Sequence, residues 1–172
     1  EAHALRYIYP VKAGEEDGRR VLCRHGEWTF VEHNSVTFLD MFDPDAMEHY
    51  LKVSYEEMWA EFAEEYGKTV LSVWVDEPSY NSQYLPWTPR LEGLFSERYG
   101  YDLAEKVWML YFDAEESATV RYHYRVLMRD LLEENYFKKV SDWCHAHGLL
   151  FSGHLMMEDT IRSQIMRAQA CM

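Results

Sequence analysis

The run VLSVWV, Val70 to Val75, ends abruptly in Asp76, Glu77 and Pro78. That junction constrains the fold more than any other feature of the chain. Apolar character without alternation, dominated by Val and Trp, predicts a strand buried on both faces. Such strands belong to parallel sheets covered by helices. Asp76 and Glu77 then lie at the C-terminal end of the strand, the edge at which α/β folds, and above all (β/α) barrels, build their active sites. Two carboxylates beside an apolar strand are costly unless they have partners or a task. Neighbouring residues of an extended strand point to opposite sides. At most one of the pair is therefore expected to face a pocket directly, with the other holding the loop or a cation.

Upstream, LRYIYPV (5–11), VLCRHGEWTFVEH (21–33) and NSVTFLDMF (34–42) are rich in β-formers, separated by the polar turn AGEEDGRR and the break at His25-Gly26. The first of these read as an antiparallel ribbon, and Asn34–Phe42 as a further strand with Asp40 near its end. Asp43 and Pro44 form a helix start, with a capping side chain followed by a proline at the first helical position. Met47, Leu51, Tyr55, Met58, Trp59, Phe62 and Tyr66 make one apolar stripe at helical spacing, closed by Gly67. Strand, helix and strand make a βαβ unit. A proline-punctuated loop, a short helix from Thr88-Pro89 to Gly100 and a segment capped by Asp102 follow. A long helical pattern then runs from about Glu115 to His147, before the strand LLFSG (149–153) and a helix from about Thr160. No glycine-rich phosphate loop follows any strand.

Composition narrows the classes. At 172 residues, 48% hydrophobic and 16% aromatic, the chain carries a real core and is not disordered. Its formal net charge of −13 argues against nucleic acid and anionic membranes as partners. Cys23, Cys144 and Cys171 lie far apart with no CxxC spacing, which supports neither a disulfide framework nor a zinc site. No apolar run approaches transmembrane length, and Glu1 to Leu5 is not a signal peptide. The chain lacks an initial Met and stops within an uncapped helical pattern, as an excised piece of a longer protein does.

The candidate chemistry gathers at the strand ends. Asp76 and Glu77 close one strand, and Gly153-His154 with Glu158 closes the next. A carboxyl there becomes a proton donor if burial raises its pKa. His154 can hydrogen-bond a sugar hydroxyl or orient a carboxylate. Tyr80, Tyr84 and Trp87, in the loop after Asp76-Glu77-Pro78, form a stacking platform if exposed and loop packing if not. Asp40 can reach the same pocket. Arg121, Tyr122 and Tyr124 read as structural.

With these residues in view, FLDMFDPDAMEHY, VWVDEPSY, PWTPRLEGLFSERYGYDL, ENYFKKVSDWCHAHGL and FSGHLMMED make the chain resemble bacterial glycoside hydrolases with (β/α)8 catalytic domains. The nearest group is the α-L-rhamnosidase-like one, over about Thr37 to Asp159. The resemblance implies a segment of a TIM barrel, with an antiparallel excursion at 1–36 and successive β/α units over 37–172. A full barrel needs roughly 250 residues. It also implies cleavage of a glycoside or oligosaccharide by paired carboxylates through an oxocarbenium-like transition state. Asp76-Glu77-Pro78 occupies the place of the family's acid/base turn, so Glu77 is the implied proton donor. Glu158, or a residue beyond Met172, is the implied partner. Asp76, His154, Trp87, Tyr80 and Asp40 are the expected substrate contacts, and calcium held by Asp76 or Glu158 is implied by the group. The competing expectations are a carbohydrate-binding barrel without chemistry, an inactive fragment, or a metal-dependent hydrolase built on His154.

Overall fold

The computed structural model describes residues 3–78, 80, 84–156 and 159–167. The β-formers of the first forty residues build three strands: β1 (Ala4–Lys12), β2 (Arg20–His25) and β3 (Trp28–Leu39). β3 pairs antiparallel with both β1 and β2. The separate strand expected over Asn34–Phe42 is instead the second half of β3. The polar pair Asn34-Ser35 does not break it, because the Ser35 hydroxyl accepts from the backbone N–H groups of Thr37 and Phe38 at 3.1 and 3.0 Å. The β1–β3 register shifts between Ala4↔Leu39 and Arg6↔Asn34, so that the extra residues of β3 bulge opposite Leu5. A fourth strand, β5 (Leu85–Trp87), pairs antiparallel with β1 and completes the order β2-β3-β1-β5.

This sheet belongs to the first of two units, Glu1–Asp40 with Ser82–Met128. Its core is made by Leu5, Ile8, Phe30 and Val31 with Trp87, Leu91, Phe95, Leu103 and Val107, all fully or almost fully buried. Helix α3 spans Leu91–Tyr99, and Gly100 follows it at φ +77°, donating its N–H to Ser96 O at 2.9 Å. Asp102 caps helix α4 (Leu103–Lys106) by accepting from the Ala104 N–H at 2.7 Å. Both ends were legible from sequence. The face of β1 and β3 carries a charged network. Glu32, 8% exposed, accepts from Arg6 at 2.6 Å and Arg20 at 2.8 Å, and Arg20 also reaches Glu92. The buried carboxylate is matched by two guanidinium groups, as its burial requires.

The second unit is Met41–Asn81 with Arg129–Met172. Asp43 caps helix α1 (Pro44–Tyr50), its side chain accepting from Asp45 and Ala46 N–H. The helix continues as a π-helical turn, Leu51–Glu56, then α2 (Glu57–Phe62) and a 3₁₀ turn, Ala63–Glu65. The expected apolar stripe is only partly used. Met47 is fully buried, but Met58 and Phe62 are 56% and 46% exposed. The contacting face is an aromatic row instead. Tyr55 and Tyr66 meet Trp143 edge-on at 5.0 and 6.5 Å, and Trp59 meets His147 at 4.4 Å. The extra residue of a π turn rotates the helix face, so the stripe does not continue in register through Met58 and Phe62.

The long helical pattern is also real but subdivided: α5 (Ser117–Leu132), a π-helical segment Glu133–Lys138, and α6 (Lys139–Ala146). The boundary between the units falls within α5. In the first unit, Tyr124 donates its hydroxyl to Pro86 O at 2.7 Å and Arg121 holds the carbonyls of Met109 and Phe112. These are the structural roles expected of them. In the second, Asn135 donates to Phe42 O at 2.8 Å across 93 positions of sequence.

β4 (Ser72–Asp76) and β6 (Leu150–His154) pair in parallel, the arrangement expected of βαβ chemistry. Their burial corrects the sequence reading. Trp74 is 60% and Leu150 66% exposed, and β4 alternates exposed and half-buried residues. Only the face bearing Val73, Val75 and Phe151 is partly covered, with α6 packed along β6. The run is apolar on both faces, but in the described chain one face is open. A final helix, α7 (Ile161–Arg167), starts where expected, with Thr160 Oγ1 accepting from the Ser163 N–H. The chain is therefore mixed α/β, with one antiparallel and one parallel sheet. Among the described residues, no helix is long and apolar enough to cross a membrane.

Candidate active site

The parallel register sets Asp76 opposite His154 at the C-terminal ends of β4 and β6. His154 Nε2 lies 3.4 Å from Asp76 Oδ1, with the two side chains 41% and 75% exposed. A polar contact this open to water contributes little stability. Its effect is to align two polar groups at the strand ends. The ladder extends one step beyond the strands, because Glu77 donates its N–H to His154 O at 3.2 Å.

Two backbone conformations make this end unusual. Glu77 has φ +48°, a left-handed value uncommon for a residue with a side chain. Pro78 narrows its choices further. Gly153 has φ +154°, and a β-carbon there would lie 2.1 Å from the Val75 carbonyl oxygen. The Gly-His pair noted in the sequence is thus a close approach of backbone to backbone, and only glycine allows it.

A cavity of about 270 Å³ opens beside these strand ends. It is lined by Val75, Pro78, Phe137 and Phe151, with Ser152 to Leu155 at one side. It is smaller than typical drug-sized sites, which run from roughly 300 to 1,000 Å³. His154 belongs to its wall, whereas Asp76 and Glu77 are not among its lining residues.

Of the residues expected from sequence, the structure gathers Asp76, Glu77 and His154. Glu158 lies outside the described residues. Trp87 and Tyr80 do not form the expected stacking platform. Trp87 is 1% exposed as part of β5, paired opposite Arg6 in the antiparallel sheet. Tyr80 is 5% exposed and packs edge-on against Phe42 at 5.1 Å. The proline-rich loop was misjudged because a short edge strand lies inside it. Tyr84 is more open, but its ring rests on Tyr9 at 4.6 Å. Asp40 is 1% exposed, follows β3 in the antiparallel unit, and donates its N–H to His3 O at 3.0 Å. It sits beside Tyr7, whose hydroxyl is pushed up to about 12 by burial first and by the Asp40 charge second. Its position is that of a core carboxylate, not of a residue at the end of a parallel strand.

Sequence reasoning missed the exposure of Trp74 and Ser152. Strand alternation carried the signal: Ser72, Trp74 and Asp76 share a face, and in the register it continues through Leu150, Ser152 and His154. Reading the run as uniformly buried hid it. Among the described residues, no three His, Cys, Asp or Glu side chains are gathered to hold a metal ion.

No family model matches this chain, and neither does any curated protein sequence. Among solved structures, the chain is similar to a rhamnosidase from Novosphingobium sp. PP1Y, at 25% identity and a TM-score of 0.54. The alignment covers 80% of this chain. The likeness is to a segment: the chain spans only 13% of the length of that enzyme.

Proposed function

We propose that this chain is a segment of a glycoside hydrolase catalytic domain of the rhamnosidase-like kind, and that the parallel strands β4 and β6 are neighbours in a larger (β/α) barrel. The observation that carries the reading is the meeting of Asp76, Glu77 and His154 at the C-terminal ends of two hydrogen-bonded parallel strands, where such folds place chemistry. The likeness to a rhamnosidase supports the reaction class.

In this reading Glu77 is the general acid. It protonates the glycosidic oxygen as the bond to the anomeric carbon breaks, and the departing alcohol takes that proton. The left-handed backbone at Glu77 supports a task for the residue, since strained conformations persist where function demands them. Asp76 orients His154, and His154 hydrogen-bonds a sugar hydroxyl. The second carboxylate is Glu158 or a residue of the wider domain. The substrate is a glycoside or oligosaccharide.

The test is hydrolysis of methyl α-L-rhamnopyranoside, whose leaving oxygen is basic, by a polypeptide that includes this segment within its whole catalytic domain. Glu77→Gln is expected to lower kcat by roughly a hundredfold to ten-thousandfold, the usual contribution of a positioned acid. Unchanged turnover removes Glu77 from the mechanism.

A further inference from the structure

The backbone of His154 is fixed, but Asp76 alone does not fix its ring. The His154 carbonyl accepts from the Glu77 N–H at 3.2 Å, and Gly153 before it lies against Val75. The imidazole, by contrast, meets Asp76 at 3.4 Å, and that carboxylate is 75% exposed. A good N–H···O hydrogen bond is shorter, about 2.9 Å. Rotation of a histidine ring about χ2 is soft, so one loose contact does not decide which edge the ring presents. A second contact is present. Strand alternation puts Trp74 on the same face of β4 as Asp76. The Trp74 ring meets the His154 ring edge-on, with centroids 5.7 Å apart and planes at 74°, the arrangement aromatic pairs prefer. The register accounts for the meeting. Small Ser152 stands opposite Trp74, and His154 is the next residue of β6 on that face, opposite Asp76. Two residues of one strand, Trp74 and Asp76, thus meet one imidazole of its neighbour.

We infer that Trp74 is a positioning residue, whose ring fixes the imidazole of His154 against Asp76. The inference rests on the glycoside reading for its kinetic consequence, but not for the contact itself. It needs no open indole face. Further strands of a larger barrel standing over Trp74 leave the edge contact with His154 intact. The competing role for a tryptophan in the middle of a barrel strand is to fill the core of that barrel. The two roles differ in what they act through. A core filler acts on stability and is indifferent to His154. A positioning residue acts only through His154, so its effect vanishes when the imidazole is removed. In the glycoside reading His154 holds a sugar hydroxyl before and during the reaction alike. Loosening the imidazole then weakens binding of the substrate more than it slows the bound complex.

The experiment is a double-mutant cycle on methyl α-L-rhamnopyranoside, with Trp74→Leu, His154→Ala and both together, in a polypeptide that carries this segment within its whole catalytic domain. Trp74→Leu keeps bulk and removes the ring. It is expected to lower kcat/KM about two- to tenfold, the worth of one edge-on aromatic contact, with the loss carried by KM. In the His154→Ala background the same substitution should cost nothing further. Trp74→Phe, which keeps an edge-on ring, should retain most of the parent's kcat/KM. Additive losses, an unchanged kcat/KM in Trp74→Leu, or a fall in Trp74→Phe as deep as in Trp74→Leu overturns the proposal and leaves Trp74 as core filling. A spectroscopic arm is independent of activity. With 13C-labelled histidine, Asp76→Asn is expected to move the His154 ring signals in the parent and to leave them unmoved in the Trp74→Leu background, where the imidazole no longer rests on residue 76. An equal shift in both backgrounds overturns the positioning role, whatever the hydrolysis. Hydrolysis indifferent to Glu77→Gln, with the Trp74-dependent shift present, removes the acid and keeps Trp74 as the residue that sets His154.

Discussion

Gly153 and Val75 are register partners across the parallel pair, and their backbones are so close that a β-carbon on Gly153 would lie 2.1 Å from the Val75 carbonyl oxygen. Gly153→Ala therefore has to push β6 away from β4 at the point where Asp76 and His154 meet. The expected cost is about 1–3 kcal/mol, combining backbone strain with lost pairing. The urea midpoint should fall, and amide protection of Glu77, whose N–H reaches His154 O, should fall with it. An unchanged midpoint with unchanged protection contradicts the close approach.

In the proposed function, Glu77 holds its left-handed backbone for the sake of its side chain. Glu77→Gly then relieves about 1 kcal/mol of left-handed strain and should leave the protein as stable or more so, while removing activity. Chemical denaturation and a rate assay on the same sample check both halves. A clear loss of stability means that the carboxylate is holding the structure instead.

Asn135 ties the second helical stretch to the start of the first, through a buried donor on Phe42 O. Asn135→Ala leaves that carbonyl without its partner. A destabilisation of about 1–3 kcal/mol is expected, more than an exposed helix substitution causes. Thermal denaturation measures it, and a change within error of zero shows that water replaces the amide.

Tyr7 gives a sign for alkaline pH. Its folded-state pKa is raised from 10.0 to about 12, chiefly by burial and then by Asp40. The folded state holds the phenolic proton more tightly than the unfolded chain. Below pH 10 both states are protonated and the contribution is fully present. Between pH 10 and about 12 the unfolded chain releases the proton first, so stability is lost as pH rises. Asp40→Asn should lower the Tyr7 pKa only partly, because burial is the larger cause. Ultraviolet difference titration of the variant against the parent chain reads the shift. A full return to the ordinary tyrosine range contradicts the burial.

Local signals in the sequence survived folding because local physics sets them. Asp43-Pro44, Asp102 and Gly100 lie at the helix ends their chemistry specifies. The parallel pairing of the two apolar runs was legible for a related reason: each run follows a helix and ends in a break. Three readings failed where tertiary context decides. Leu85–Trp87 looks like loop because Pro78 precedes it and Pro86 lies within it, yet an edge strand of three residues accepts Pro86 in the middle. The π turn at Leu51–Glu56 carries no sequence mark, so the burial of Met58 and Phe62 was overestimated. Trp74 was assigned to a covered core because periodicity alone does not say which faces of an apolar strand are covered. In the site, Asp76, Glu77 and His154 were legible from their place after apolar runs. The demand for glycine at position 153 was not, since it depends on how closely two backbones far apart in sequence, at Val75 and Gly153, approach.

The most direct test of Glu77 as proton donor is the dependence of its variant on the leaving group. Glu77→Gln, in a polypeptide carrying the whole catalytic domain, is compared with its parent on a methyl and on a 2,4-dinitrophenyl α-L-rhamnopyranoside. A general acid matters most when the departing oxygen is basic. The account predicts a loss in kcat/KM of roughly a hundredfold or more on the methyl glycoside and a much smaller loss on the dinitrophenyl glycoside. Equal losses on both substrates, or no loss on either, contradict it.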